Sequence, residues 1–409
     1  MGRVMKDSGV EWIGEIPELW EVAQLKRFCT INNGKEIENE VDQTSNIAID
    51  VFGSGGIFKY TDKVLYSGEA VLFGRKGTLG KPIYVNQPFW TVDTMYYLTF
   101  RSNLFPKFCY YQLLAFDWKP YITKTALPSI VASQIVGCKF AFPNLMEQIK
   151  IINYLGKICD EIDNIIKKTK CSIEEYQKLK KAIVIKAVTK GLNEKVCMKR
   201  TDSDWIGEIP AHWNYVRIQR LFDIVDERNE DENALLLSLY TAIGVKPRNE
   251  LEEKGNKAIT VMNYKKVQKN DVIVNKLLAW MGAIGYSDYE GVTSPDYDVY
   301  RAKEGANVVR TYYNEYFRHT CFSGDCYKYG HGIMLMRWRT YPEEFLRIKV
   351  PNPPREEQEA IAKYLDEKCT EIDRVIEKKE AFIAEMENYK KSLIYEYVTG
   401  KKEVENATN

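Results

Sequence analysis

The chain has 409 residues, of which 45% are hydrophobic and 28% are charged, a composition typical of a globular protein with two or three folding units. It has neither an apolar stretch of the roughly 18 residues that a membrane span requires nor the N-terminal apolar run of a signal peptide. A formal net charge of +1 argues against a protein that binds nucleic acid alone over a broad surface, and nine scattered cysteines favour free thiols in the cytoplasm.

The first recognisable element is a short motif that occurs twice. W-I-G-E-I-P begins at Trp12 and again at Trp205, a shift of 193 residues, and a second tryptophan follows each copy at the same distance, as Trp20 and Trp213. An internal repeat of this kind indicates a duplicated structural plan. We expect Trp12 and Trp205 to anchor each globular region against a helix rather than to contact a ligand.

The region after each motif is rich in β-branched and aromatic residues bounded by Gly and Pro, which predicts strands. The clearest candidates are residues 70–73 and 94–100 in the first region, and residues 271–274 and 298–300 in the second. We therefore expect each region to form an α+β domain.

A second repeat, now with a shift of 210 residues, closes each half of the chain. It begins at Glu147-Gln148 and at Glu357-Gln358, and it runs without a gap through Val188-Thr189 and Val398-Thr399. Because this shift exceeds the first one by 17 residues, the middle of the second half is the longer one. Both segments follow prolines and contain none, which is typical of long helices.

Apolar residues recur at seven-residue steps through both helices, which predicts a coiled coil. The expected seam positions are Leu155, Ile162, Tyr176, Ile183, Leu365, Ile372, Met386 and Leu393. The stripe is widened by flanking apolar residues, which are Ile158, Ile165, Ile166, Ile173, Leu179, Cys369, Val375, Ile376, Phe382, Ile383 and Tyr389. The gapless repeat favours a matched antiparallel pair. The alternative is two unconnected amphipathic helices, each packed on its own domain.

Constant helices and motifs around divergent middles suggest a fixed frame that carries two different binding domains. The predicted fold is α+β, with two pseudo-repeated globular domains separated by two long, antiparallel coiled-coil helices. The predicted segments are 1–146 for the first domain, 147–192 for the central helix, 193–353 for the second domain and 354–409 for the C-terminal helix.

Three fragments imitate the motifs of catalytic or ligand-binding sites. Residues 352–355, N-P-P-R, lack the aromatic residue of the N-P-P-[YF] loop of amino-methyltransferases. Residues 74–81 have the wrong spacing for a phosphate loop and precede Pro82 rather than Ser or Thr. Residues 319–331 contain H-x-C-x4-C-x4-H, which matches no standard zinc spacing. We therefore expect a binding protein that is not an enzyme and that holds no cofactor and no metal.

The duplicated W-I-G-E-I-P motif, the two variable regions and the two helices that begin with E-Q-x5-Y-L after a proline resemble the specificity subunits of type I restriction-modification systems. The resemblance covers essentially the whole chain. It implies that each domain reads one half of a split, asymmetric site in double-stranded DNA, and that the helices set the gap between the halves. It also implies two modification subunits and a set of restriction subunits as partners, with no membrane. Phosphate contacts made by these partners account for the modest net charge.

Residues 74–81 and 275–285 look like two different types of recognition loop. The side chains that we expect to contact DNA are Arg75, Lys76, Thr78, Lys81, Lys124, Thr125 and Ser129 in the first domain, and Asn275, Lys276, Trp280, Tyr297, His331, Arg337 and Arg339 in the second. Exposed Arg and Lys can donate to guanine, and Asn can pair with adenine. Each of these residues could instead pack or contact phosphate. The alternative function is a protein-only scaffold, which recruits partners through its coiled coil and has no sequence-dependent DNA affinity.

Overall fold

The computed structural model describes residues 3–241, 243–250, 260–332 and 338–404. Two compact units divide the chain, one made of Met1–Lys170 with Lys379–Asn409 and the other of Cys171–Lys378. Each unit contains one strand-rich region, the first half of the long helix that follows it and the last half of the other long helix. This division differs from the four consecutive segments drawn from the sequence, which remain a prediction.

The first unit combines short strands with small helices. Its strands are β1 (Met5–Asp7), β2 (Glu15–Pro17), β3 (Glu21–Gln24), β4 (Cys29–Asn33), β5 (Ile49–Gly53), β6 (Gly56–Thr61), β7 (Ala70–Gly74), β8 (Ile83–Val85), β9 (Trp90–Thr91), β10 (Met95–Phe100) and β11 (Lys139–Phe142). Its helices are α1 (Pro106–Ala115), α2 (Ala132–Gly137) and the first half of α3 (Leu145–Lys190). Antiparallel pairing gives a four-stranded sheet with the order β4-β10-β7-β8.

The centre of this sheet is β7, whose five residues are all buried. Helix α1 contacts this strand, and a cluster that includes Phe52, Leu72 and Phe89 packs beneath the sheet. A strand that is covered on both faces is expected to be apolar throughout rather than alternating. The strands predicted from the sequence at 70–73 and 94–100 are confirmed as β7 and β10.

The second unit repeats this plan with a longer middle. Its strands are β12 (Met198–Arg200), β13 (Glu208–Pro210), β14 (Asn214–Arg217), β15 (Phe222–Val225), β16 (Leu237–Tyr240), β17 (Gly244–Pro247), β18 (Lys265–Val267), β19 (Val272–Asn275), β20 (Ile284–Tyr286), β21 (Gly291–Thr293), β22 (Tyr297–Ala302) and β23 (Lys349–Asn352). Its helices are α4 (Arg310–Phe317), α5 (Thr320–Tyr329), α6 (Pro342–Arg347) and the first half of α7 (Arg355–Val398). Its four-stranded sheet, β15-β22-β19-β20, has the same strand order as the first.

An aromatic core fixes this second unit to the end of helix α3. Tyr312, Tyr313 and Tyr316 are fully buried on α4. The hydroxyl of Tyr312 donates a hydrogen bond of 2.8 Å to the carbonyl of Val188, close to the end of α3. The strands predicted at 271–274 and 298–300 are confirmed within β19 and β22.

The two long helices run antiparallel in each unit. In the second unit Lys180 Nζ lies 2.7 Å from the carboxylate of Asp373, and in the first unit Lys390 Nζ lies 2.7 Å from that of Asp163. These are the same pair of positions with the helices exchanged, because Lys180 and Asp163 each lie 210 residues before their counterparts. The alternative of two unconnected amphipathic helices is therefore wrong, and the expected α+β fold with two long antiparallel helices is confirmed.

Burial along the helices defines the seam between them. Leu155, Ile162, Leu365, Ile372 and Leu393 are buried, whereas Tyr176, Ile183 and Met386 are half-buried. Ile165 and Leu179, which we expected to widen the stripe, are 42% and 48% exposed. Ile166 and Ile173, which we also expected to widen the stripe, are buried, and with Cys159 they form a second row four positions after the first. None of the described helices is long and apolar enough to cross a membrane.

The two sequence repeats meet in space within each unit. Trp20 Nε1 donates to Glu147 Oε2 at 3.1 Å, and Trp213 Nε1 donates to Glu357 Oε2 at 2.8 Å. The adjacent glutamine, Gln148 or Gln358, donates to a proline carbonyl before its helix at 3.0 or 2.9 Å. The second tryptophan of each motif is therefore joined to the first turn of the long helix that follows.

Trp12 and Trp205 contact groups within their own units. The ring of Trp12 packs edge-on against Phe116 and Phe140 of its own unit. Trp205 is 56% exposed and lies over Gly324 on α5. The tryptophans that reach the long helices through hydrogen bonds are Trp20 and Trp213.

Candidate nucleic-acid interface

The two predicted recognition loops occupy equivalent positions in the two units. Residues 75–82 connect β7 to β8, and residues 276–283 connect β19 to β20, so each eight-residue loop joins the third and fourth strands of its sheet. The sequences of the two loops are unrelated, which is why they look like different types. The common frame therefore presents different side chains at the same place.

Glycines hold the first loop in a tight conformation. A Cβ on Gly74 would lie 2.4 Å from the carbonyl oxygen of Thr78, and Gly77 adopts a φ of +84° that favours glycine. The backbone N–H of Thr78 donates to Ser54 Oγ at 3.1 Å. The backbone of this loop is therefore fixed while the side chains of Arg75 and Lys76 are half-buried and that of Lys81 is exposed.

A second loop, residues 121–130, lies beside the first. The N–H of Ile130 donates to the carbonyl of Arg75 at 3.0 Å, and Lys76 forms an isolated bridge with Ser129. The exposed Lys124 and Thr125 belong to this second loop. The structure thus brings together two groups of predicted residues that are about fifty positions apart in the sequence.

The basic side chains of this first surface belong to Arg75, Lys76, Lys81 and Lys124. The guanidinium of Arg75 lies 6.0 Å from the ring of Tyr96, within the range of a cation–π contact that limits its motion. Arg and Lys side chains carry hydrogen-bond donors and have no acceptor atom. The surface can therefore bind phosphate oxygens or the acceptor edge of guanine.

In the second unit Asn275 is buried, whereas we expected an exposed side chain that reads a base. Its residue is only 6% exposed, and Oδ1 accepts a hydrogen bond of 3.0 Å from the N–H of Leu277. The side chain closes an Asx turn at the end of β19. It shapes the loop, and the exposed positions next to it must make any contact with DNA.

The remaining predicted residues of the second unit surround this loop. The N–H of Thr340 donates to the carbonyl of Lys276 at 3.0 Å, which places the chain around His331 and Arg339 beside Lys276. The backbones of His331 and Arg339 exchange two hydrogen bonds of 2.9 and 3.1 Å. A hydrogen bond to the hydroxyl of Tyr341 raises the pKa of Arg339. Arg337 lies outside the described residues.

Tyr297 and Trp280 both make contacts within the protein, and Trp280 belongs to an aromatic group that the sequence analysis missed. Tyr297 is half-buried against an apolar cluster, and Trp280 donates through Nε1 to the carbonyl of Leu277 at 3.0 Å. The ring of Trp280 lies 6.0 Å from that of Tyr327, on which Trp338 stacks at 4.9 Å. The position of Trp338 beside a glycine-containing loop was the available sequence signal for this group.

A buried ion pair supports the same loop from below. Lys265 Nζ lies 2.8 Å from Asp298 Oδ1, and their side chains are only 7% and 2% exposed. Lys276 Nζ lies 3.8 Å from the same oxygen. Asp298 Oδ2 is buried and has no hydrogen-bond partner among the described residues. One buried carboxylate thus attracts both a structural lysine and a predicted DNA contact.

The fragments that imitate catalytic motifs have structural roles. The Asn352 amide donates to the carbonyl of Asn307 at 2.8 Å and to the hydroxyl of Tyr313 at 2.7 Å, so it is not available for a substrate amine. His319 Nδ1 accepts from the N–H of Thr320 at 2.8 Å at the start of α5. Burial raises the pKa of Cys321 to about 12, which disfavours the thiolate form that binds metals.

Comparison with known proteins points to the same family as the sequence motifs. The family described as "Type I restriction modification DNA specificity domain" matches residues 17–175. A putative type I restriction enzyme MjaX specificity subunit from Methanocaldococcus jannaschii is 28% identical over 95% of both chains. The chain is similar to the specificity subunits of type I restriction-modification systems over nearly its whole length.

A second relative has a similar description. A second specificity subunit from M. jannaschii, that of the type I restriction enzyme MjaVIII, is 25% identical over 51% of this chain and 50% of its own. Specificity subunits are the non-catalytic components of type I systems, which confirms the expectation that the chain is not itself an enzyme.

Solved structures share the fold of this chain. A chain from a study of complex assembly and conformational transition of the type I R-M system aligns with a TM-score of 0.67 and 13% identity, covering 95% of this chain and 99% of that one. The HsdS subunit from Thermoanaerobacter tengcongensis aligns with a TM-score of 0.50 and 14% identity, covering 95% and 98%. At this identity the likeness concerns the fold alone.

Proposed function

We propose that the chain is the sequence-specific DNA-binding subunit of a type I restriction-modification complex. Each unit reads one half of a bipartite, asymmetric site in double-stranded DNA through its loop pair. In the first unit the contacts come from Arg75, Lys76, Thr78, Lys81, Lys124, Thr125 and Ser129. In the second they come from Lys276, Trp280, Tyr297, His331, Arg337 and Arg339, with Asn275 shaping the loop.

The observation that carries this proposal is the equivalence of the two loops. One frame holds residues 75–82 and residues 276–283 at the same place in two sheets, yet gives them unrelated side chains. A duplicated frame with different surfaces suits a target whose two halves differ in sequence. Arg and Lys at loop ends are the groups that most often read guanine in the major groove.

The long helices set the distance between the two half-sites and dock two modification subunits in this proposal. Restriction subunits join the same complex, which acts on cytoplasmic DNA. A net charge of +1 is low for a protein that binds DNA alone, so we infer that the modification subunits contribute phosphate contacts.

Selection of randomised DNA duplexes tests the proposal directly. The chain is co-expressed with its modification subunit, and the complex is expected to enrich a two-part motif with a fixed unspecified gap. Replacing Arg75 with alanine should relax the first half of the motif alone, whereas Arg27→Ala, an exposed arginine paired with Glu21, should leave the motif unchanged. Enrichment of no sequence by a folded, assembled complex would contradict the proposal and favour the protein-only scaffold.

Shortening both helices together should shorten the gap in the DNA motif. Deleting residues 166–172 of α3 and the equivalent residues 376–382 of α7 removes one heptad between the two ion pairs and keeps the pairing of Lys180 with Asp373. Seven residues correspond to about 10 Å of helix, or roughly three base pairs of B-DNA. The expected result of repeating the selection is the same two half-sites with a gap about three base pairs shorter.

The matched control for this deletion removes residues 166–172 alone. That change shifts one helix against the other, so the complex should fail to assemble rather than read a new gap. An unchanged gap after the paired deletion would show that the helices do not set the spacing.

A further inference from the structure

One large apolar side chain stands exposed within the basic surface of the first unit. Leu127 is 59% exposed, in a loop that otherwise reads Lys124, Thr125, Ala126, Pro128 and Ser129. A single exposed leucine has no meaning by itself. Its meaning here depends on how firmly the loop holds it and on what surrounds it.

Side-chain hydrogen bonds brace the loop on both sides of Leu127. Thr125 Oγ1 donates to the carbonyl of Leu127 at 2.9 Å. Thr123 closes the base of the loop, because its N–H donates to the carbonyl of Ser129 at 3.0 Å and its Oγ1 accepts from the N–H of Ser129 at 3.0 Å. Pro128 further restricts the backbone of Leu127 to extended conformations. Because the backbone of the loop is already held, binding a ligand through Leu127 would cost little further backbone entropy.

The surroundings of Leu127 are suited to DNA. Lys124 lies three residues away, and the base of the loop is bonded to the backbone of Arg75 and Lys76. These basic side chains can hold phosphates or guanine while Leu127 contacts the edges of the bases in the groove. The main apolar feature that the major groove offers is the C5-methyl group of thymine.

We propose that Leu127 reads a thymine methyl group in the half-site of the first unit. The proposal rests on the DNA-reading function proposed above and adds a specificity-determining residue to it. Hydrogen bonds from the polar residues of the loop cannot make this distinction, because thymine without its methyl group keeps the same hydrogen-bonding groups.

Deoxyuridine substitution tests the contact, since it removes only that methyl group. Each thymine of the selected first half-site is replaced in turn, on either strand, and the dissociation constant of the complex is measured at fixed salt. We expect one position at which the wild-type complex binds about fourfold more weakly, the effect of one buried methyl group. Leu127→Ala should bind the thymine and uracil duplexes equally, and Leu127→Met should restore the difference.

Val131→Ala is the matched control, because Val131 is also exposed, at 44%, but lies beyond the braced loop. This variant should keep the wild-type preference for thymine. The proposal is overturned if every thymine can be replaced without loss, if Leu127→Ala keeps the full preference, or if the first half-site contains no A·T pair. A complex that binds no sequence selectively would instead contradict the DNA-reading function itself.

Discussion

Replacing Lys265 with methionine should lower the free energy of unfolding of the second unit by about 3–5 kcal/mol. Lys265 Nζ lies 2.8 Å from Asp298 Oδ1, and the side chain of Asp298 is only 2% exposed. Methionine fills a similar volume but leaves this carboxylate in the interior without its partner. Lys276 Nζ, at 3.8 Å, compensates in part, which places the expected loss towards the lower end of that range.

The loss can be measured in the full chain by urea unfolding together with hydrogen exchange at the amides of β18 and β22. The midpoint of the transition of the second unit should fall while its slope stays unchanged. Lys303→Met is the control, because Lys303 pairs with Asp223 at 3.0 Å but the two side chains are 38% and 68% exposed. An exposed pair contributes at most about 1 kcal/mol. Equal losses for the two variants would show that the buried pair has no special role.

The frame of the protein could be predicted from the sequence because its signals are local. A seven-residue apolar period and two gapless repeats are visible without knowing which residues meet in space. The contact between the two repeats was not visible, since Trp20 and Glu147 are 127 positions apart and either could have faced solvent. The sequence shows that the tryptophan motif and the start of the long helix occur together twice. Only the fold shows that the tryptophan donates a hydrogen bond to the glutamate of that helix.

Both rows of the seam contain predicted apolar positions, but the sequence did not separate the buried flanking residues from the exposed ones. A seam with a seven-residue period can take its second row either three or four residues after the first, and apolar residues occupy both sets of positions here. Ile165 and Ile166 are adjacent, yet the first is 42% exposed and the second only 9%. The partner helix decides between them, and its rotation cannot be deduced from one helix alone.

The candidate site shows the same limit. Residue type suggested that Asn275 reads adenine, but the turn after β19 uses its side chain to accept the N–H of Leu277. Local hydrogen bonds of this kind compete with ligand contacts for Asn. The equivalence of residues 75–82 and 276–283 could not be recognised from the sequence either. The two loops share a position in the strand order, and a shared position does not require similar side chains.

The repeated tryptophans provide the second prediction with a large effect. Replacing Trp213 with alanine should destabilise the second unit by about 3–5 kcal/mol, as expected for a large buried aromatic side chain. Trp213 is fully buried, its Nε1 donates to Glu357 at 2.8 Å, and a Cβ on Gly191 would lie 3.0 Å from its ring. Removing it opens a cavity where the end of α3 meets the beginning of α7. Trp213→Phe keeps part of the packing without the N–H donor and should have an intermediate effect.

Trp205→Ala is the control in the same unit, because this tryptophan belongs to the same motif but is 56% exposed. Its loss should be less than about 1.5 kcal/mol, in the range of partly exposed substitutions. Urea unfolding of the three variants separates the two explanations of the motif. If both alanine variants lower the free energy of unfolding equally, the motif is repeated because all of its residues pack together. If Trp213 dominates, the motif is repeated because each copy must supply one tryptophan to the glutamate that begins a long helix.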